Sequence, residues 1–196
     1  SSNSFTDPFM DGFEEAFSTI AQQTNGKVVV LTGFDTYFAV GGTAGGLQKL
    51  QEGETRFTDR KVYNLPLFCD LPVIAAMQGH AVGAGWSMGM FADLVVFASE
   101  GVYHSNYMWF GFTPGAGATL ALPQRLGDDL SREVLFSARE YRGEELKERA
   151  PWLTVLPSKH VLTEAQKMAH ALALYSRADL TAAKKEQSRH LRASIS

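Results

Sequence analysis

The sequence predicts an α/β fold, and three observations carry that expectation. Two apolar runs, residues 27–32 and 72–77, are each followed by a glycine-rich stretch. A third run, residues 94–98, follows a segment that reads as a short helix. Beyond Ala118 the chain reads as mostly helical. Strand, glycine turn, helix, strand is the order of an α/β domain, in which crossovers between parallel strands are right-handed.

The elements follow in order. The chain opens on a helix, with Asp7 as the expected N-cap and Pro8 at the first helical position. Phe9, Phe13, Phe17 and Ile20 then recur at helical spacing and make one apolar stripe, which Asn25-Gly26 ends. Residues 27–32 are a β-branched run of the kind expected in a strand covered on both faces. The first glycine-rich stretch spans 38–46. Residues 52–59 read as a polar, mobile loop and 62–70 as a helix. Residues 72–77 are a strand, 79–85 the second glycine turn, 86–91 the opening of a helix, and 94–98 another strand. Residues 164–175 and 182–195 are the clearest late helices.

The 196 residues suggest one domain. A net charge of −3 leaves no basic footprint, which argues against nucleic acid as a partner. Cys69 is the single cysteine, so no intrachain disulfide is possible. Beside Phe68 and Leu71 it reads as a small core residue. No apolar run approaches the ~20 residues of a membrane span, and no signal peptide precedes Ser1. The expected location is the cytoplasm.

Glycine-rich turns after buried strands present free backbone N–H groups. Such groups suit a phosphate or an oxygen that becomes negative during reaction. A dinucleotide fingerprint needs G-x-G-x-x-G, and Gly79, Gly83 and Gly85 have the wrong spacing. A P-loop needs G-K-[ST], which is absent. An oxyanion hole fed by one N–H from each turn remains, beside the plainer reading of two structural turns.

The stretch Pro72-Val73-Ile74-Ala75-Ala76-Met77-Gln78-Gly79-His80-Ala81-Val82-Gly83-Ala84-Gly85 resembles the signature of the crotonase (enoyl-CoA hydratase/isomerase) superfamily, a strand followed by N-G-x-x-x-G-G-G. Phe38-Ala39-Val40-Gly41-Gly42 resembles its first oxyanion turn, and Pro114-Gly115-Ala116-Gly117-Ala118-Thr119 its later P-G-x-G-[GA]-T turn. The resemblance covers nearly the whole chain. It implies a spiral of repeated β-β-α units, with residues 1–145 as the core and 146–196 as a C-terminal helical region of the same domain. The family's first strand has no counterpart, so the chain is expected to begin inside the fold. Met168, Leu172 and Tyr175 can line one face of a late helix, and by the resemblance that region mediates a homotrimer.

By the same resemblance the N–H groups of Gly42 and Ala84 form the oxyanion hole. Ala84 departs from the usual glycine, which a backbone donor tolerates if φ is negative. The family's hydratases activate water with two glutamates. Here those positions hold Ser87 and Tyr107, neither a base near neutral pH. The chain is more similar to decarboxylating hydratase-like enzymes of polyketide β-branching, notably in Met77-Gln78-Gly79-His80 and in Tyr107-Met108-Trp109-Phe110-Gly111-Phe112-Thr113-Pro114-Gly115. The implied reaction takes CO2 from a 3-methylglutaconyl thioester on an acyl carrier protein and leaves a 3-methylcrotonyl thioester. No cofactor is expected beyond the phosphopantetheine arm of the carrier, or CoA. That branch uses a lysine after the first turn and a histidine on a C-terminal helix. His190 matches the histidine, and turned inward it is expected to be held protonated by the substrate carboxylate and to orient that group before CO2 leaves. Lys49, one to three positions before the expected place, is the candidate lysine, with Lys61 as the fallback. Hydratase or isomerase chemistry on a CoA thioester and a non-catalytic crotonase-like scaffold are the rival readings.

The remaining titratable residues are expected to be structural. His80 reads as a hydrogen-bonded core residue, His104 has no assigned role, and His160 and His170 read as surface residues. Asp93 is expected to cap a turn, and paired with Arg125 it would be structural. Most charges around His190, Lys184 among them, are expected to face solvent. No His/Cys/Asp/Glu cluster has metal-ligand spacing.

Overall fold

Alternation at period two decides how the central strands sit. In a computed structural model, which describes residues 2–56 and 59–195, strand β3 (Val73–Met77) is buried along its whole length. Val73, Ala75 and Met77 point into the main core, while Ile74 and Ala76 point to the opposite face. Strand β5 (Leu94–Ala98) divides the same way, with Phe97 inward and Val96 and Ala98 outward. The outward set is covered by Val161 and Ala165 of helix α8 (Ser158–Leu172).

Among the described residues these strands belong to a parallel four-stranded sheet, completed by β1 (Val29–Thr32) and β8 (Thr154–Leu156) in the order β1-β3-β5-β8. The second sheet is β2 (Tyr37–Val40), β4 (His80–Val82), β6 (Val102–His104) and β7 (Glu140–Arg142). Only β7 runs antiparallel within it. Through β6 the chain steps from one sheet to the other at each strand, with helix α2 (Ala44–Gln51) and helix α4 (Ala84–Met90) closing successive turns. This is the expected spiral of β-β-α units.

Several expectations are corrected. Thr6, not Asp7, caps helix α1 (Asp7–Gln22), its Oγ1 accepting from the Phe9 N–H at 3.3 Å. The β1 strand is half-buried rather than covered on both faces, because it is an edge strand. Residues 62–70 make only a 3-10 turn (Val62–Asn64) and helix α3 (Leu65–Phe68). The region beyond Ala118 contains helices α5 (Ala118–Leu126), α6 (Asp128–Ser137), α7 (Gly143–Arg149) and α9 (Arg177–Ile195), but also β7 and β8. The sheet therefore extends past residue 145. Met168 and Leu172 are half-buried against the outer face of the first sheet, while Tyr175 is exposed. Of the expected loop 52–59, Phe57 and Thr58 lie outside the described residues.

Lys184 is buried rather than solvated. Its Nζ donates to the Asp93 carboxylate at 2.7 Å and to the carbonyls of Pro66 and Leu71 at 2.7 and 2.9 Å. The same Asp93 oxygen accepts from the Val73 N–H at 2.7 Å. Arg125 instead donates to backbone carbonyls, those of Met90, Ala92 and Asp93. The Asp93 carboxylate thus pairs with Lys184 and not with Arg125, and α9 is tied to the start of β3.

Lys184→Ala leaves the Asp93 carboxylate without its counterion. Breaking such a pair is expected to cost about 3 kcal/mol, the low end for buried pairs, because 22% of the Asp93 side chain stays exposed to water. Chemical denaturation measures it, and adding Asp93→Asn is expected to recover part of the loss.

Candidate active site

Parallel pairing of β2 and β4 puts the two glycine turns side by side. Ala39 and Val40 lie opposite Ala81 and Val82, so Gly41-Gly42 and Gly83-Ala84 leave the sheet together. The Gly41 N–H donates to Val82 at 3.0 Å, and the Gly83 N–H donates to His104 of β6 at 2.8 Å. Gly83 has φ +54°, a conformation that favours glycine. Ala84, the next residue, is not among the positive-φ positions, which meets the condition set by its departure from glycine. A Cβ on Gly41 would lie 2.7 Å from the Ala84 nitrogen, so the turns touch.

Among the described residues, neither the Gly42 nor the Ala84 N–H donates to another protein group. Both residues border one cavity of about 460 Å3. Ala84 opens α4 and Gly42 precedes the Thr43 cap of α2, whose Oγ1 accepts from the Gly46 N–H at 3.1 Å. Two unused backbone donors at adjacent turns can receive one oxygen that carries or develops negative charge. Phe5, Met10, Leu50 and Ala116 supply apolar wall.

Lys49 is on α2, exposed at the rim of this cavity with Gly42 and Ala84. Arg56 and Arg60 border it too, but Arg60 is occupied by Asp11 and Glu14, each at 2.8 Å. Lys61 is exposed and does not border the cavity. His190 is not brought to it within the chain. Its side chain is exposed on α9, and its carbonyl accepts from the Ser194 hydroxyl at 2.9 Å.

Ser87 and Tyr107, which the resemblance matches to the family glutamates, form a hydroxyl pair. Ser87 Oγ and Tyr107 Oη are 3.3 Å apart and buried, and burial pushes the Tyr107 phenol well above its ordinary pKa. Neither group is a base. His80 Nδ1 accepts from the Val102 N–H at 3.0 Å and its ring meets Tyr37 edge-on, so it braces β4. His104 is likewise buried, its Nε2 2.8 Å from the Ala138 carbonyl. Cys69 is half-buried against the core. Among the described residues no group of three or more His, Cys, Asp or Glu could hold a metal, and no helix is long and apolar enough to cross a membrane. Sequence reasoning missed Tyr63, a buried residue on the cavity wall. Its only signal was a phenol inside an apolar stretch.

The model of the family described as enoyl-CoA hydratase/isomerase matches residues 1–195. The chain belongs to that family. It is 48% identical over 171 residues to the bacillaene synthase decarboxylase PksI of Bacillus subtilis, covering 87% of this chain and 69% of that protein. A solved structure described as part of a dehydratase/decarboxylase enzyme couple involved in polyketide β-branching superimposes with a TM-score of 0.96 at 46% identity, over 97% of this chain and 78% of the other. The ECH2 decarboxylase domain of CurF from Lyngbya majuscula gives a TM-score of 0.94 at 38% identity, over 100% of this chain and 79% of that one.

Two substitutions test the paired turns. Ala84→Pro removes one donor at a first helical position that proline tolerates, and Gly41→Ala forces the turns apart. Each is expected to slow a reaction that develops charge at the hole by about 10²–10³-fold, measured as turnover of folded protein.

Proposed function

We propose that this chain removes CO2 from a 3-methylglutaconyl thioester carried on the phosphopantetheine arm of an acyl carrier protein, as a step of polyketide β-branching. The observation that carries the reading is a hole present without water-activating carboxylates: Gly42 and Ala84 offer their N–H groups, while Ser87 and Tyr107 hydrogen-bond to each other. The decarboxylase relatives support it. In the step, the bond to the carboxylate breaks, CO2 leaves neutral, and the electron pair passes into a dienolate. Its charge rests partly on the thioester oxygen, where the two N–H donors stabilise it. Protonation at carbon then gives the 3-methylcrotonyl thioester.

Lys49, at the cavity rim, is the proposed proton donor. His190 is exposed on α9, and we assign its part in catalysis to the assembled protein, a homotrimer in the cytoplasm in which α9 of one chain meets the cavity of another. Hydration of a CoA thioester needs a base, and the hydroxyl pair supplies none near neutral pH.

CO2 release from carrier-bound and CoA-bound substrate tests the reading. Release is expected, faster from the carrier, with no hydration of enoyl-CoA; a non-catalytic scaffold releases none. Lys49→Ala is expected to lower turnover about 10²-fold and binding far less, because the carrier arm supplies much of the binding energy. His190→Ala is expected to lose activity at an unchanged melting temperature. Light scattering is expected to give three chains.

A further inference from the structure

A second, smaller space meets the paired turns. Gly42 and Ala84 border both the 460 Å3 cavity and a space of about 30 Å3. Leu47 of α2, Phe110 and Phe112 wall the small space, with Asn106 and the Tyr107 phenol as its polar edge. Two of these side chains press on the turns themselves. Leu47 Cδ2 lies 3.3 Å from where a Cβ on Gly42 would stand, and Asn106 Oδ1 lies 2.9 Å from where one on Gly83 would stand. Leu47 and Gln51 are one helical turn apart on α2, and Gln51 Nε2 donates to the Phe110 carbonyl at 3.0 Å. That tie holds the Leu47 wall against the Phe110 wall. A water molecule's share of liquid volume is about 30 Å3, so the space admits one methyl-sized group and little more.

An acyl thioester whose oxygen sits on the Gly42 and Ala84 N–H groups has its chain at the junction of the two spaces. The proposed substrate branches at C3 into a methyl and a carboxymethyl group. The carboxymethyl group is too large for the small space, whose wall holds no cation to offset a buried charge. It belongs in the larger cavity, which Lys49 and Arg56 border and to which the assembled protein brings His190. The neutral methyl is left for the small space. We propose that Leu47 and Phe110 form a size filter for the branch at C3, which admits methyl and rejects ethyl. This inference rests on the decarboxylase reading and names the substrates it accepts. Seating the methyl also sorts the two substituents, so the group that leaves as CO2 faces the cations.

Leu47→Ala keeps a good helix former and shortens one wall to a methyl, and Phe110→Leu trims the facing wall. Leu47 is half-buried and Phe110 is 38% exposed, so both variants are expected to fold. Full chains are compared for CO2 release from 3-methylglutaconyl and 3-ethylglutaconyl thioesters, and for binding of each. The parent is expected to favour the methyl substrate by about 10- to 200-fold in kcat/KM, the worth of one methylene in an apolar pocket. Each variant is expected to bring that ratio toward one by gaining on the ethyl substrate, a change that a merely structural role would not produce. Equal turnover of both substrates by the parent overturns the proposal and leaves the decarboxylase reading intact. So do variants that slow both substrates alike and keep the preference. If the parent releases no CO2 from either thioester, that reading fails and the binding ratio decides the filter. Equal affinity, or a methyl preference that survives in both variants, then overturns the proposal, and a preference lost in Leu47→Ala upholds it.

Discussion

The parallel pairing of β2 with β4 is the constraint on which the site depends. Val40 opposite Val82 fixes where both strands end. The turns that follow can then meet at the distance of a missing Cβ, as at Gly41 against the Ala84 nitrogen. A slip of one residue would turn every side chain to the other face and separate the donors. The register is guarded on both sides: Gly41 donates to Val82, and Gly83 donates to His104 in the next strand. The pairing of two free N–H donors is thus a property of the sheet ends, with side chains contributing only their size.

That division explains how one scaffold serves different chemistries. The backbone donors survive any substitution compatible with the turn, so an alanine can stand at position 84, where φ is not positive. The reaction is then chosen by the side chains around them. A carboxylate at Ser87 or Tyr107 would import a base near the paired turns. Two hydroxyls joined by one hydrogen bond across 3.3 Å import none.

Much of the fold was legible because it rests on local signals. The buried runs of β3 and β5, the glycines between them and the phenylalanine stripe of α1 all declare themselves within a few residues. What escaped depends on distant partners. β7 and β8 are three residues each, too short for a periodic signature, and they exist as strands because β6 and β5 offer edges to pair with. Pro66 at the first turn of α3 fits a break in the helix expected over 62–70. Lys184 looked solvated among Lys185, Arg189 and Arg192, and only the fold shows Asp93 waiting beneath it. In the site, the two turns were readable from glycine spacing. The cavity wall was not, because Tyr63 gains its meaning from the turn residues more than twenty positions away on either side.

The tie between Asp93 and Lys184 also sets a clock on biosynthesis. The two residues are 91 positions apart. A ribosome adding about 5–20 residues per second needs roughly 5–20 s to pass from one to the other. Throughout that interval β3 and α4 have already been made and β5 follows at once, yet the carboxylate between them has no counterion and the carbonyls of Pro66 and Leu71 have no ammonium to accept from. The nascent chain therefore carries an unfinished polar seam beside its most apolar strands, the circumstance in which a growing polypeptide depends on being shielded from its neighbours.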